Sequence, residues 1–332
     1  PDTISTTLYV ELMGNDSSVL CRKVLPVLLG SSSGQLEIPD SLVSGTYTVR
    51  AYTRTMKDLA PDFIFRKGVY VFGKKAAATT AATQKIYYYF FPEGGNLVAG
   101  FNNNVAFKAV YENGFPAPVN AVIRNSKGET LATLTDYHDG MGMFELNPRP
   151  GEKYFAEAGT EKFPLPDPVE KGITVNLIRH EKGFFYELQQ QPNDPVYHVA
   201  YLVGQMQHRV VFKQELKPGN SSPQGIVNTQ QLRSGIIQVT FFNKDGLPLA
   251  ERLWFNNNHE YIQAAEILTD TVNLKARGRN RFRISLQDTV EGNISVSVVD
   301  ADYETSAYRA ENIISNLLLT SDLKGYVHHP WY

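Results

Sequence analysis

A single cysteine, Cys21, stands in 332 residues, so no intrachain disulfide is available and hydrophobic cores must hold the fold. No neighbouring motif would activate a thiolate, and Cys21 reads as a small buried hydrophobe on a strand. Long apolar runs are missing too. No stretch of about 18 apolar residues exists, so no helix is expected to cross a bilayer. Excess charge of either sign is also absent, because 32 basic and 34 acidic residues leave a formal net charge of -2. That balance gives no electrostatic reason to expect nucleic acid or an anionic membrane surface as partner. The low cysteine count does not exclude an extracytoplasmic site. The chain opens on Pro1 without a methionine or signal peptide, and is expected to be a piece of something longer.

What is abundant is strand-forming chemistry. Tyrosine and phenylalanine, 18 of each, accompany many Val, Ile and Thr residues. The length exceeds what one sandwich core organises, which predicts two to four domains. Short apolar runs alternate with glycine-bearing turns, most plainly from Phe90 to Ala156. The expected fold class is all-β: tandem immunoglobulin-like antiparallel β-sandwiches, with a short helix near residue 313. Four units are predicted, over 1–74, 85–175, 176–257 and 258–332. In the first, strands are expected at Leu8–Leu12, Val19–Val27, Gln35–Pro39, Ser44–Tyr52 and Phe63–Phe72. Residues 75–84, rich in Ala and Thr, read as a linker or exposed loop.

The second unit is expected to place strands at Ile86–Phe91, Val105–Tyr111, Ala121–Arg124, Thr130–Leu134, Gly142–Leu146 and Lys153–Glu157. The third has Gly183–Gln189, Val196–Gly204, Val210–Leu216 and Ser234–Phe242. The last has only Glu266–Lys275, Arg281–Leu286 and Ile294–Val299, too few for a sandwich of its own. Ile313, Ile314, Leu317 and Leu318 follow at helical spacing, with Asn312 as N-cap and Gly325 past the end, which predicts a helix docked by its apolar stripe. Two echoes argue for homologous beads: Ser44-Gly45 with Ser234-Gly235 ahead of alternating strands, and Gly114-Phe115-Pro116 with Gly246-Leu247-Pro248.

These phrases resemble a known family. Phe90 to Gly95 with Leu97-Val98, Val105 to Ala109, and Gly140 to Phe144 are similar to the macroglobulin-like modules of large exported proteins in Gram-negative bacteria. Leu8 to Leu12, Leu36 to Leu42 and Ser44 to Arg54 resemble the same modules. Gly292 to Asp300 and Leu317 to Tyr326 resemble the segment that precedes a carboxypeptidase-regulatory-like or TonB-receptor-plug-like region. The resemblance covers roughly two thirds of the chain. It implies macroglobulin-type sandwiches, a cell-envelope location in the periplasm or at the outer membrane, and a role in binding or architecture. The Cys-Gly-Glu-Gln thioester of protease-trapping relatives is missing, since Cys21 lies between Leu20 and Arg22.

Candidate chemistry is sparse. Gly30-Ser31-Ser32-Ser33-Gly34 fits the Gly-x-Ser-x-Gly pattern, but a nucleophile elbow needs a strand before it and a helix after it, and β segments flank this run. His180-Glu181 and His259-Glu260 begin like a zinc-protease helix, yet Phe184 and Gln263 occupy the positions of the second histidine. His328-His329, with Trp331 and Tyr332, read as an exposed chain end that could bind metal only adventitiously. His138-Asp139 read as a turn before Gly140. As adjacent strand residues they would point to opposite faces and could not serve one reacting atom. Asp300, Asp302 and Glu304 gather carboxylates that read as a solvated loop, with calcium the alternative. Tyr87 to Phe91 should bury alternate rings in a core and expose the others, which could face a sugar or a protein.

No catalytic, cofactor-binding or metal residue is therefore assigned, and no cofactor. The expectation is a non-enzymatic binding or scaffold fragment of a bacterial cell-envelope protein with a protein partner. A macroglobulin-type protease inhibitor without a thioester, or a carbohydrate-binding module of a glycan-uptake system, is the alternative.

Overall fold

The computed structural model describes residues 5–14, 18–58, 64–73, 85–112, 114–217, 222–262, 264–286, 296, 311–323 and 327–331. The chain forms two compact units, 1–83 and 84–332. The expected linker 75–84, the strand Ile294–Val299 apart from Val296, and the carboxylates Asp300, Asp302 and Glu304 lie outside the described residues.

The first unit carries one antiparallel sheet of four strands: β1 (Thr7–Met13), β2 (Val19–Pro26), β3 (Gly45–Tyr52) and β4 (Phe65–Val71), ordered β2-β1-β3-β4. Period-two alternation gives it two faces. One gathers Leu12, Tyr47 and Val71, with Val49, Val69 and the half-buried Cys21 packed around them. The alternating run Gln35–Pro39 is not a strand. Leu36 packs on the core while Ile38 stays 51% exposed, so the alternation confers sidedness without a pairing partner. Among the described residues the second layer of this unit is strandless chain.

The second unit contains two sandwiches of identical topology. In the first, β5 (Ile86–Pro92), β6 (Asn103–Tyr111) and β9 (Met141–Leu146) form one sheet. β7 (Val122–Asn125), β8 (Thr130–Thr133), β10 (Tyr154–Ala158) and β11 (Glu161–Pro164) form the other, ordered β11-β10-β7-β8. Tyr88, Phe107, Ile123, Phe144 and Tyr154 fill the space between them. In the second, β12 (Ile173–His180), β13 (Gly183–Gln190) and β16 (Gln224–Asn228) oppose β14 (Tyr201–Met206), β15 (Arg209–Glu215), β17 (Gly235–Phe242) and β18 (Pro248–Asn256). Their orders are β12-β13-β16 and β15-β14-β17-β18, over a core that includes Phe184, Leu202, Ile237 and Phe241.

Counted by appearance, the first, second and fifth strands of each sandwich make one sheet, and the fourth, third, sixth and seventh, in that order, make the other. The sheet of the first unit repeats this second order. The Ser44-Gly45 strand and the Ser234-Gly235 strand therefore hold equivalent central places. The other echo is local chemistry only: Gly114 (φ 83°) follows the second strand of its sandwich, whereas Gly246 (φ 80°) sits between the sixth and seventh. Both turns need a residue that tolerates positive φ, and glycine meets that need wherever it arises.

Several boundaries move for physical reasons. β12 starts at Ile173, so position 175 falls within a strand, because Ile173 and Val175 both point into the second core. The expected strand from Val196 begins at Tyr201. Before it, Asp194 caps a single 3-10 turn at Pro195–Tyr197 by accepting from the Val196 N–H at 3.2 Å. β19 (Ala265–Thr271) and β20 (Arg281–Leu286) make a two-stranded hairpin with largely exposed side chains. α1 (Ile313–Ser315) starts at Asn312, which forms a capping box with Ser315, and a π turn over Asn316–Thr320 follows. That turn packs against β17, but Ile313 and Leu317 are exposed, so the expected stripe is only partly buried.

Candidate functional site

β5 separates its side chains as alternation requires. Tyr88 and Phe90 are buried, while Tyr89 and Phe91 are more than half exposed. Register places Tyr89 beside Lys108 and Met141, and Phe91 beside Ala106 and Met143, giving the outer face of β5-β6-β9 two cross-strand rows. Beyond Phe91 the chain turns through Pro92-Glu93-Gly94-Gly95, and β18 of the second sandwich supplies Glu251, Arg252 and Leu253 opposite. Together these enclose an open cleft of about 250 Å³.

The floor of the cleft is the junction between the sandwiches. Gly94 bridges Glu251, whose N–H donates to the Gly94 carbonyl at 3.3 Å. Gly94 adopts φ 91°, and a Cβ there would lie 3.3 Å from the Ala250 methyl and 3.4 Å from Val175, so both conformation and space favour glycine. Glu93, 9% exposed, accepts from the Leu177 N–H and from Arg252 Nε, each at 3.1 Å, through Oε1. Its Oε2 accepts from Asn104 Nδ2 at 3.1 Å. Asn104 also donates to Asn176 Oδ1 at 3.2 Å, and the Asn102 N–H to Gln189 Oε1 at 3.3 Å. One carboxylate thus ties β6, β12 and β18 together.

A second cavity, of about 390 Å³, opens on the same face between Lys108, Asp139, Met141, Leu253, Leu323 and His328. Here the structure joins two pairs that the sequence separates by 190 positions. His138 to Met141 is a two-residue hairpin turn with Asp139 at φ 47° and Gly140 at φ 76°, the type I′ geometry. Because these are turn residues, the opposite-face argument for His138 and Asp139 fails. His138 Nε2 lies 3.1 Å from Asp139 Oδ2, and His329 Nδ1 lies 2.8 Å from the same oxygen. His328 packs edge-on to Phe115 at 5.8 Å, with its ring centre 3.8 Å from that of His329. His328 and His329 are half-buried rather than an exposed end. Asp139, His328 and His329 each place a ligand atom within 4.8 Å of the others, a set that could hold a metal ion. Burial, reinforced by the neighbouring His329, pushes the His328 imidazole below its ordinary value against the pull of Asp139.

No protein-family model matches the chain, and no curated protein matches it. Among solved structures, a tetra-tandem repeat from the extending region of a large adhesion protein is similar at 13% identity and TM-score 0.24, over 86% of this chain and 82% of that one. A Salmonella alpha-2-macroglobulin is similar at 9% identity and TM-score 0.19, and the chain spans 22% of its length. SGBP-B of the Bacteroides ovatus mixed-linkage glucan utilization locus, solved with a mixed-linkage heptasaccharide, is similar at 12% identity and TM-score 0.22, over 80% of this chain and 62% of that one. The all-β tandem architecture rests on this chain's own sheets and cores.

The first unit holds a third cluster. Glu11, on the sheet face opposite the hydrophobic core, is fully buried. It accepts from Arg22 Nε at 2.7 Å, Arg50 Nε and Tyr52 OH at 2.9 Å each, and the Arg50 terminal nitrogen. Tyr9 stacks on Tyr52 at 5.5 Å, with Lys57 over both rings. Desolvation pushes the Glu11 carboxyl up, but the hydrogen bonds from Arg50, Tyr52 and Arg22 together outweigh it and hold the carboxyl below its ordinary value. This is a closed ion-pair network.

The remaining candidates sit in structural roles. Ser32 Oγ donates to the Pro26 carbonyl at 2.8 Å, and residues 33–44, which follow it, form no helix. His180 Nδ1 accepts from the Lys182 N–H at 3.2 Å in the β12–β13 turn. Glu260 accepts from the Ser234 N–H and hydroxyl, at 2.5 and 2.6 Å. Gln263 and Tyr332 lie outside the described residues.

Proposed function

We propose that the chain is a non-enzymatic scaffold and binding arm of an exported bacterial cell-envelope protein, built to hold the two sandwiches of its second unit in a fixed relation. The observation that carries this reading is the Glu93 junction. A nearly buried carboxylate that satisfies a backbone N–H, an arginine and an asparagine from different strands fixes orientation, whereas a flexible string of modules needs no such tie. The macroglobulin-like phrases support export and a place in the periplasm or at the outer membrane, next to receptor-plug-like or carboxypeptidase-regulatory-like regions. Exposed Tyr89, Phe91, Met143 and Leu253 beside the cleft favour contact with a protein partner.

Residual dipolar couplings test the fixed junction. The β6 and β13 amides of the unaltered chain should share one alignment tensor. Glu93→Ala, which strands the Leu177 N–H at a cost of about 1–3 kcal/mol, should separate the two tensors. Two tensors in the unaltered chain would sink the rigid-arm reading. Ester and peptide substrates should show no turnover, and hydrolysis that disappears in Ser32→Ala would overturn the non-enzymatic reading.

A further inference from the structure

We propose that Asp139, His328 and His329 bind one divalent transition-metal ion, best matched by zinc, which fastens residues 327–331 to the outer face of the first sandwich in the second unit. The argument begins with donor chemistry. Two imidazole nitrogens and one carboxylate oxygen suit Zn²⁺, Co²⁺ or Ni²⁺, whereas Ca²⁺ and Mg²⁺ require a shell of oxygens. Geometry follows. Tetrahedral zinc with bonds of about 2.0–2.1 Å keeps its ligand atoms about 3.3 Å apart. The three donor atoms already lie within 4.8 Å of one another: His329 Nδ1 and Asp139 Oδ2, at 2.8 Å, have to open by about half an ångström, and a pair as wide as 4.8 Å has to close by about 1.5 Å, within reach of side-chain rotation. Three protein ligands leave the fourth position to water.

Asp139 and His328 each have a support of their own, as ligands of a metal site commonly do. Asp139 projects from the I′ turn, which the Asp136 carboxylate steadies by accepting from the Gly140 N–H at 3.2 Å. His138 Nε2 lies against the Asp139 carboxylate and orients it. His328 is held by the Phe115 ring. The positive φ of Asp139, 47°, is what the I′ turn requires, and it sets the direction in which the carboxylate leaves the turn. The His328 ring centre lies 3.8 Å from that of His329, so the fold already gathers both imidazoles at the Asp139 carboxylate. Lys108 lines the same cavity and opposes a cation there, so its flexible amine must turn to solvent when the ion enters.

The test uses the full chain without an affinity tag, titrated with Co²⁺ near neutral pH and followed by visible absorption. One Co²⁺ per chain should bind with the intense bands of a four-coordinate site, and Zn²⁺ should displace it stoichiometrically. Asp139→Asn and His329→Ala should each weaken binding at least about tenfold, while His208→Ala, in the β14–β15 turn, should leave it unchanged. Failure of the unaltered chain to bind one Co²⁺ overturns the proposal, and that measurement depends on no variant folding. Binding that survives Asp139→Asn and His329→Ala, with circular dichroism showing both folded, also overturns it, because the ion would then sit elsewhere.

Discussion

Arg50→Ala is expected to destabilise the unit of residues 1–83 by about 3–5 kcal/mol, the cost of leaving a buried charge without its main partner. Glu11 has no exposed surface, and Arg50 supplies two of the four hydrogen bonds it accepts from described residues, from a position only 24% exposed. Arg22 and Tyr52 remain, but Arg22 is half in solvent and a phenol cannot neutralise a carboxylate. The chain provides its own reporters. Cys21 is its only cysteine and packs on the core of the first unit, whereas Trp254 and Trp331, its two tryptophans, lie in the second. In urea, the midpoint for thiol labelling of Cys21 should fall sharply in Arg50→Ala, while the tryptophan transition stays in place. A loss below about 1 kcal/mol, the scale of a surface pair, would show that Glu11 is solvated in solution.

The same network predicts the sign of a pH effect. The folded carboxyl of Glu11 lies below its unfolded value, so it contributes stability that is fully present above the ordinary carboxylate range. That stability is lost as pH falls through the depressed folded value. Acid should therefore open the first unit, detected as faster Cys21 labelling relative to an unstructured thiol control at the same pH. Arg50→Ala should move the onset of opening to higher pH, and an unchanged onset would remove Glu11 as the cause.

How much of this was legible in the sequence depends on how local each feature is. The split of Tyr88 and Phe90 from Tyr89 and Phe91 follows from period two alone, and the structure shows it. The Asn312 cap follows from one side chain and the next turn. Strands with weaker local signals were missed. β12 follows the prolines at 164, 166 and 168 and interrupts its apolar residues with Thr174 and Asn176, while β16 is a five-residue edge, Gln224–Asn228. The buried charge of Glu11 was hidden because a glutamate on an alternating strand normally faces water, and only the long side chains of two neighbouring strands cover it. The Asp139 cluster was hidden for a different reason. Its histidines and its aspartate are brought together by folding across a separation of 190 positions, and no periodicity encodes that approach.

Phe184→Ala should cost the second sandwich of the second unit about 3–5 kcal/mol. Phe184 is completely buried at the centre of the three-stranded sheet and packs on Phe212 at 6.3 Å and Trp254 at 5.2 Å, from two strands of the opposite sheet. Truncation removes a ring that touches both and leaves a cavity between the two sheets. Trp254 fluorescence reads the loss directly. Hydrogen exchange of the β6 amides then distinguishes a rigid arm from independent beads. If the Glu93 junction couples the sandwiches, Phe184→Ala should also lower β6 protection, and Glu93→Ala in the same chain should restore it toward the value of Glu93→Ala alone. Strict additivity of the two substitutions in β6 would mean that the junction aligns the sandwiches without sharing their stability.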